Sequence, residues 1–469
     1  MLCYVWSGKQ TGLIVRRFFV VILLVFIAVS SHASDTSSLF NIGASSASRD
    51  YDWSSINRSV SPGYGDVVDT VLVEGNRHTK SFVITREMAT KPGSPLSEDL
   101  LRRDYSYLKW MGFFSKVGFE IQKDGKGHCK LIVRVIERPD LFMKYPYPIV
   151  NYDFKKGVSY GVNWKIKNFR GVGEEIGASF LQRRDIEEWG SAYWTIPWFF
   201  ANRIRFSFQM NFYKRMKFPQ LIGNIRERGN PTISMGIPLS RSLVKQIWLR
   251  SILAWERRVS MQRLEIDNSF RFYTQQFIRS GISAYYDSRD NGLSPWRGML
   301  GMVGADVYTT VRGVDQDYIF YYMKYDLFVP LSKRTTFMFA LDGIVNEGRV
   351  PYYFKMGLGG SSDLRGYVNA DLKGDTKFLQ TFQLKTRLFG PIILRLPAIG
   401  EFDATLNAVA FIDNGALMDC VSDIVSSQYY TTGGIGLELL SPLRDRVRFE
   451  LAGGEGGNLI FSVTSSSRF

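Results

Sequence analysis

"RIRFSFQMNFY", residues 203–213, changes residue type at every step. Arg203, Arg205, Ser207, Gln209 and Asn211 alternate with Ile204, Phe206, Phe208, Met210 and Phe212. A period of two belongs to a β-strand, whose successive side chains point to opposite faces. A soluble sandwich turns the apolar face inward. A membrane barrel turns it outward to lipid and keeps the polar face for its lumen. The period fits both, so the surrounding sequence has to decide.

From Tyr147 onward, segments of roughly ten residues repeat this pattern between turn residues. "VSYGVNWKIKNF" followed by "RGVG" is one example. About sixteen such segments, each of about 9–11 residues plus a turn, fit between Tyr147 and Phe469. The 34 Phe, 24 Tyr and 10 Trp crowd the apolar faces, as the interface girdles of a membrane barrel require. A mean hydropathy of -0.10 is too polar for a bundle of membrane helices but suits a barrel, where only alternate residues face lipid. The fold class expected is therefore an all-β transmembrane barrel of about sixteen antiparallel strands.

The N-terminus agrees. Lys9, Arg16 and Arg17 precede the apolar run "FFVVILLVFIAV", and Ser31-x-Ala33 follows it. This is the pattern of a secretory signal peptide over residues 1–33. Residues 34–65 are rich in Ser, Gly, Asn and Asp and read as a linker.

Residues 66–138 have a different order. "VVDTVLVEG" alternates as a strand and ends at a Gly-Asn turn. "TKSFVITREMA" suits a short helix capped by Thr79, and "PLSEDLLRRDYSYLKWMG" a longer one capped by Ser97 and ended by Gly112. "SKVGFEIQ" and "CKLIVRVIE" then form a hairpin across "KDGKG". The result is a small α+β domain of order β-α-α-β-β.

Net charge is +15, which either a solvated basic surface or contact with membrane phosphates explains. No zinc spacing, basic helix or RNA-binding motif points to nucleic acid. The three cysteines follow no metal or redox spacing, and only three His occur: His32, His78 and His128. With His32 in the leader, both remaining His fall in the small domain, which excludes a His-based hydrolase in the barrel. G-x-S-x-G, H-E-x-x-H and P-loop patterns do not occur. Neither catalytic residues nor a metal or cofactor are expected.

Four further stretches carry a family resemblance. Residues 66–138 resemble a POTRA domain, a periplasmic module that precedes certain outer-membrane barrels. "YYDSRDNGLSPWRGML" (285–300) resembles a signature of the BamA/TamA-like outer-membrane assembly barrels, whose relatives include the mitochondrial sorting-and-assembly barrel. Its matching residues are Asp287, Arg289, Asp290, Asn291, Pro295 and Gly298. "GGSSDLRGY" (359–367) resembles the family's (V/I)RG(F/Y) motif at Leu364, Arg365, Gly366 and Tyr367. "FIDNGAL" (411–417) resembles its F-x-D-x-G strand.

The resemblance implies an inward-folding loop over about residues 345–376, with Arg365 meeting Asp413 on the barrel wall. The family offers a second acidic partner on the preceding strand. This chain has Gln383 at that place, which leaves the second contact without charge assistance. The implied function is assembly and insertion of β-barrel proteins into the outer membrane, with the small domain in the periplasm. Unfolded outer-membrane β-barrel proteins would be the clients, beside periplasmic accessory subunits and outer-membrane lipid. Clients would be templated at a weak seam between first and last strands. Pro146 and Pro148 remove amide donors near the first strand, and Gly456 and Gly457 precede the last. Ordinary turn chemistry explains these four equally well. The alternative function is an outer-membrane pore that secretes a specific protein.

Overall fold

The computed structural model describes residues 64–137, 146–153, 157–183, 187–200, 203–215, 225–239, 246–263, 270–290, 294–351, 355–360, 363–396, 400–440, 446–454 and 459–465. The expected leader, nearly all of the linker, Asn291, Gly456, Gly457 and Phe469 lie outside these residues.

The small domain runs β1 (Val67–Glu74), α1 (Ser81–Glu87), α2 (Glu98–Met111), β2 (Phe114–Lys123) and β3 (His128–Glu137). Its sheet has the order β1-β3-β2, with β1 parallel and β2 antiparallel to the central β3. Val83 and Ile84 of α1 and Leu101 and Leu108 of α2 pack on Leu131 and Val133 of β3. Glu98 and Asp99 favour the positive end of α2, and Gly112 ends it with φ +78°. The start of α1 differs from expectation. The helix begins at Ser81, and Lys80 takes the N-cap position without a side-chain bond. Thr79 does not cap it, because its hydroxyl accepts the Asn168 amide at 2.8 Å from a barrel turn. A tertiary contact has replaced the local one.

The barrel closes from sixteen strands, the first being β4 (Tyr147–Asp153) and the last β21 (Leu459–Ser465). Sequential neighbours pair antiparallel with one exception. β14 (Thr335–Gly348) pairs directly with β17 (Thr376–Leu396). The chain between them carries a separate two-stranded ladder, β15 (Met356–Gly359) with β16 (Val368–Gly374).

Burial decides which face is which. On β19 (Tyr430–Leu440), Leu437 and Leu439 are 44% and 38% exposed, while Glu438 between them is fully buried. On β20 (Arg446–Gly454), Phe449 and Leu451 are exposed, and Arg448 and Glu450 are buried. The same holds for β8 (Ile204–Arg215), where Phe208, Met210 and Phe212 are exposed. Their polar neighbours bond across the wall, Ser207 to Thr195 at 3.0 Å and Asn211 to Asn230 at 2.9 Å. Apolar side chains face outward and charges inward, the inverse of a soluble sandwich.

The small domain docks on two barrel turns. Between β5 (Gly157–Phe169) and β6 (Glu174–Arg183), the Lys80 amide donates to the Gly171 carbonyl and Arg86 to the Val172 carbonyl, each at 2.9 Å. A Cβ on Gly171 would lie 2.1 Å from the His78 carbonyl, and φ there is +73°, so only glycine fits. At the end of β7 (Glu187–Phe199) the Trp198 indole donates to Glu87, and just before β8 Arg203 donates to the Tyr107 hydroxyl at 2.7 Å. Burial pushes that hydroxyl up to about 12, so it stays protonated and neutral beside Arg203. Behind the contact, Glu137 accepts the His78 and Thr79 amides at 2.9 and 2.6 Å. Burial opposes its charge, but these bonds hold the carboxyl below its usual range.

The face assignment is testable. Phe208→Arg puts a charge on the lipid face and lowers barrel stability by about 2–4 kcal/mol if it lies near the bilayer midplane. Gln209→Arg, one residue away and lumenal, costs far less. Urea titration of the barrel in lipid vesicles measures both.

Candidate functional site

The site is a chain of buried charges inside the barrel. Arg365 is only 2% exposed and reaches three walls. Its Nε and Nη2 donate to the two oxygens of Asp413 at 2.7 and 2.8 Å, a bidentate pair. Its backbone N–H also donates to Asp413, at 3.3 Å. Nη1 donates to Glu450 Oε1 at 2.8 Å and, at 3.5 Å, lies at the limit of a bond to Gln383. The Phe411 ring lies beneath the guanidinium, 3.3 Å from ring centre to Cζ. Asp413 sits on β18 (Gly400–Met418) opposite Thr381 of β17, whose hydroxyl donates to it at 2.7 Å.

The local sequence puts Arg365 there. Leu364 is wholly buried against Leu358 and Leu379 and holds the loop tip on the wall. Gly366 has φ +82°, and a Cβ on it would lie 2.9 Å from Ala452 of β20. The loop backbone therefore rests directly on the strand that supplies Glu450. Tyr367 packs on Tyr430, with ring centres 4.7 Å apart. Asp363 pairs with Lys377 at 3.1 Å.

The signature turn joins the same network from below. It links β11 (Phe270–Asp287) to β12 (Gly298–Arg312). Arg289 folds back on Asp287 with bonds of 3.0 and 2.9 Å. Asp290 accepts the Trp296 amide at 2.9 Å. Gly298, at φ +97°, passes so close to the Ser288 carbonyl that a Cβ would lie 2.2 Å from it. The tip then reaches the lumen. Ser294 donates to Glu438 at 2.8 Å, and Lys385 donates to the Pro295 carbonyl at 2.7 Å. Arg448 ties this group to the loop group. It bonds Glu438 at 2.9 Å and lies within 3.5 Å of Glu450 and 3.4 Å of Gln383.

Arg365, Asp413 and Gln383 thus meet. The second carboxylate comes from β20 as Glu450, a residue that the sequence reading did not single out. Glu438, Lys385, Arg446 and Arg448 were missed as well. Their signal was legible: "RVRFELAGG" puts Arg446, Arg448 and Glu450 on one face at period two, and charges on a barrel's inner face need partners. Of the four seam residues, Pro146 and Pro148 are exposed, and Pro148 pairs opposite Val162 of β5. The glycines of that set lie outside the described residues. Among the described residues no cluster of three His, Cys, Asp or Glu is arranged to hold a metal ion.

Removing Arg365 takes from Asp413 its bidentate cation and leaves Glu450 only the longer contact to Arg448 at 3.5 Å. Arg365→Ala should cost the barrel about 3–5 kcal/mol and leave the small domain folded. Glu450→Gln should cost less, and Gln383→Glu added to it should recover most of the loss. The midpoint of heat-induced gel mobility change reads all three. A double variant no better than Glu450→Gln alone would mean that the two wall positions are not interchangeable partners of Arg365.

The fold is similar to those of known barrels. BamA from Haemophilus ducreyi lacking POTRA domains 1-3 superposes with a TM-score of 0.58 at 15% identity, over 86% of this chain and 85% of that one. CdiB from Escherichia coli gives 0.58 at 13% over 86% and 77%, and CdiB from Acinetobacter baumannii 0.54 at 12% over 86% and 74%. A surface antigen variable number repeat, the POTRA family, matches residues 67–138, and an Omp85 superfamily domain matches residues 168–455. The chain therefore belongs to the Omp85 superfamily, as an outer-membrane β-barrel joined to a POTRA domain.

Proposed function

We propose that this barrel assembles and inserts β-barrel proteins into the outer membrane, by templating client strands at the seam between β4 and β21. The observation that carries this reading is the seam itself. Among the described residues, β21 and β4 pair only at Ser462–Asp153 and Val463–Tyr152. On its other side, β4 pairs with β5 continuously from Tyr147 to Asp153. Tyr152 and Phe461 add one ring contact, 6.2 Å between centres. Two short strands with so little shared ladder can part at low cost and expose backbone donors and acceptors to an incoming strand. Pro148 weakens β4 further as a template partner, since it lacks an amide donor. The reaction would involve no covalent step.

The network around Arg365 supports a seam rather than a through-lumen route. It fills part of the lumen with paired charges, and separating them is costly. The alternative, secretion of a specific protein, needs that region to clear.

Depletion of the protein separates the two. Assembly predicts broad loss of outer-membrane barrels, whereas loss of one secreted protein with normal barrels would sink it. A second experiment addresses the seam. Tyr152→Cys with Val463→Cys, oxidised to a disulfide, should abolish client insertion, and reduction should restore it. Full activity of the crosslinked protein would exclude templating at this seam.

A further inference from the structure

A cavity of about 920 Å³ lies where the small domain meets the barrel. One wall comes from α1 and the residues after it, including Phe82, Arg86 and Lys91. The other comes from β6, β7 and the turn before β6, including Arg170, Ile196 and Trp198. The barrel side of this cavity belongs to the outer surface. Thr195 bonds Ser207 across the inner face, so Trp194, Ile196 and Trp198 share the opposite, outward face of β7. Trp194 is 38% exposed there, and Phe200, just past the strand, is 77% exposed. Trp and exposed aromatics at the rim of a membrane barrel mark the headgroup level.

Above this apolar wall sit three cations. Arg86 is stacked between Phe82 and Trp198, 5.4 and 5.1 Å from their ring centres. Its Nη2 holds the Val172 carbonyl, but its Nε is buried without a hydrogen bond, and the nearest carboxylate oxygen, on Glu87, is 3.8 Å away. Lys91 donates to the Thr85 and Arg86 carbonyls at 2.6 and 3.4 Å and is exposed. Arg170 pairs with Glu174 at 2.7 Å and keeps 57% of its side chain exposed. Glu174 also takes the Trp194 indole N–H, and Glu87 takes that of Trp198. The facing carboxylates are thus engaged, and the rim carries a net positive charge. Phe82, on the helix above, is 53% exposed and continues the apolar surface.

We infer that this cavity binds one glycerophospholipid from the leaflet facing the small domain. Its phosphate would lie among Arg86, Lys91 and Arg170, and the start of an acyl chain along Ile196 and Trp198. The occupant follows from the combination of features. The apolar wall is continuous with the lipid-facing barrel surface, and the cations sit at its edge, where a phosphodiester would be. A phosphate there would meet the positive charge of Arg86, Lys91 and Arg170 at the edge of the apolar wall. The lipid would then be a third partner in the junction between domain and barrel.

The inference rests on the barrel spanning a membrane and not on its clients. Retention of the protein in membranes after carbonate washing tests that premise separately. For the site itself, the full-length protein in detergent is titrated with palmitoyl-oleoyl phosphatidylglycerol and examined by native mass spectrometry. One tightly held lipid is expected. Arg86→Gln with Lys91→Gln should weaken it by about fivefold for each cation removed. Val172→Trp, which fills the cavity and leaves both cations in place, should weaken it as well and keeps the test valid if the first variant loosens the domain. Unchanged affinity in a folded variant would overturn the assignment. So would displacement by inorganic phosphate at matched concentration, which would mean an anion site, or equal retention of diacylglycerol, which would mean an apolar groove without headgroup recognition.

Discussion

A guanidinium buried inside a barrel has to find acceptors for its donors, and much of the loop and wall around Arg365 follows from that need. Asp413 takes two side-chain donors and Glu450 a third. Thr381 supplies Asp413 with a further bond, on the oxygen that also takes Arg365 Nη2. The approach also constrains the strands. Gly366 lies on the backbone of β20, so that strand presents Ala452 and Gly453 there and no large side chain. Leu364 and Tyr367 flank the charge with apolar contacts that hold the loop against the wall. One charge thereby fixes residue choices on the loop and on strands distant in sequence.

Period and composition made the strands and their number legible. They left the direction of the faces open, because alternation is the same in a sandwich and a barrel. A buried Glu438 between exposed Leu437 and Leu439 settles what hydropathy alone leaves open. The Arg365–Asp413 pair was accessible through its motif. Glu450 was legible as an inner-face charge but not as the partner of Arg365, because it lies 85 residues away, and only closure and strand register bring the two together. Thr79 shows the opposite failure. A good helix cap by local chemistry is used instead to hold Asn168, since the docking contact wins over propensity. Sequence reasoning worked where the determinant was local or periodic and failed where it depended on register across the barrel.

The departure at Gln383 has a consequence for how the barrel distributes its strength. With a Glu at that position, the acidic contacts of the loop would sit on β17 and β18, whose register runs from Thr376 to Leu396. Here the second carboxylate sits on β20 instead. Glu450 pairs opposite Ser462 of β21, and Ser462 pairs opposite Asp153 of β4. The loop's carboxylate anchor is therefore only one strand, β21, from the seam, in the same row of residues. Arg448, also on β20, extends this anchorage to Glu438 and so to the signature turn.

This arrangement limits which part of the wall can move in the proposed mode of action. Parting β21 from β4 breaks a short ladder and one ring contact. Parting β20 from the rest of the barrel would instead separate Glu450 from a buried guanidinium and Arg448 from Glu438, which costs several times more. The boundary between fixed and mobile wall thus falls between β20 and β21. That ladder runs from Val447–Ser465 to Gly453–Leu459 and ends at Gly453. β21 can part from β4 without disturbing the charges that hold the loop, because the residue that anchors the loop and the strand that must yield are adjacent but separate.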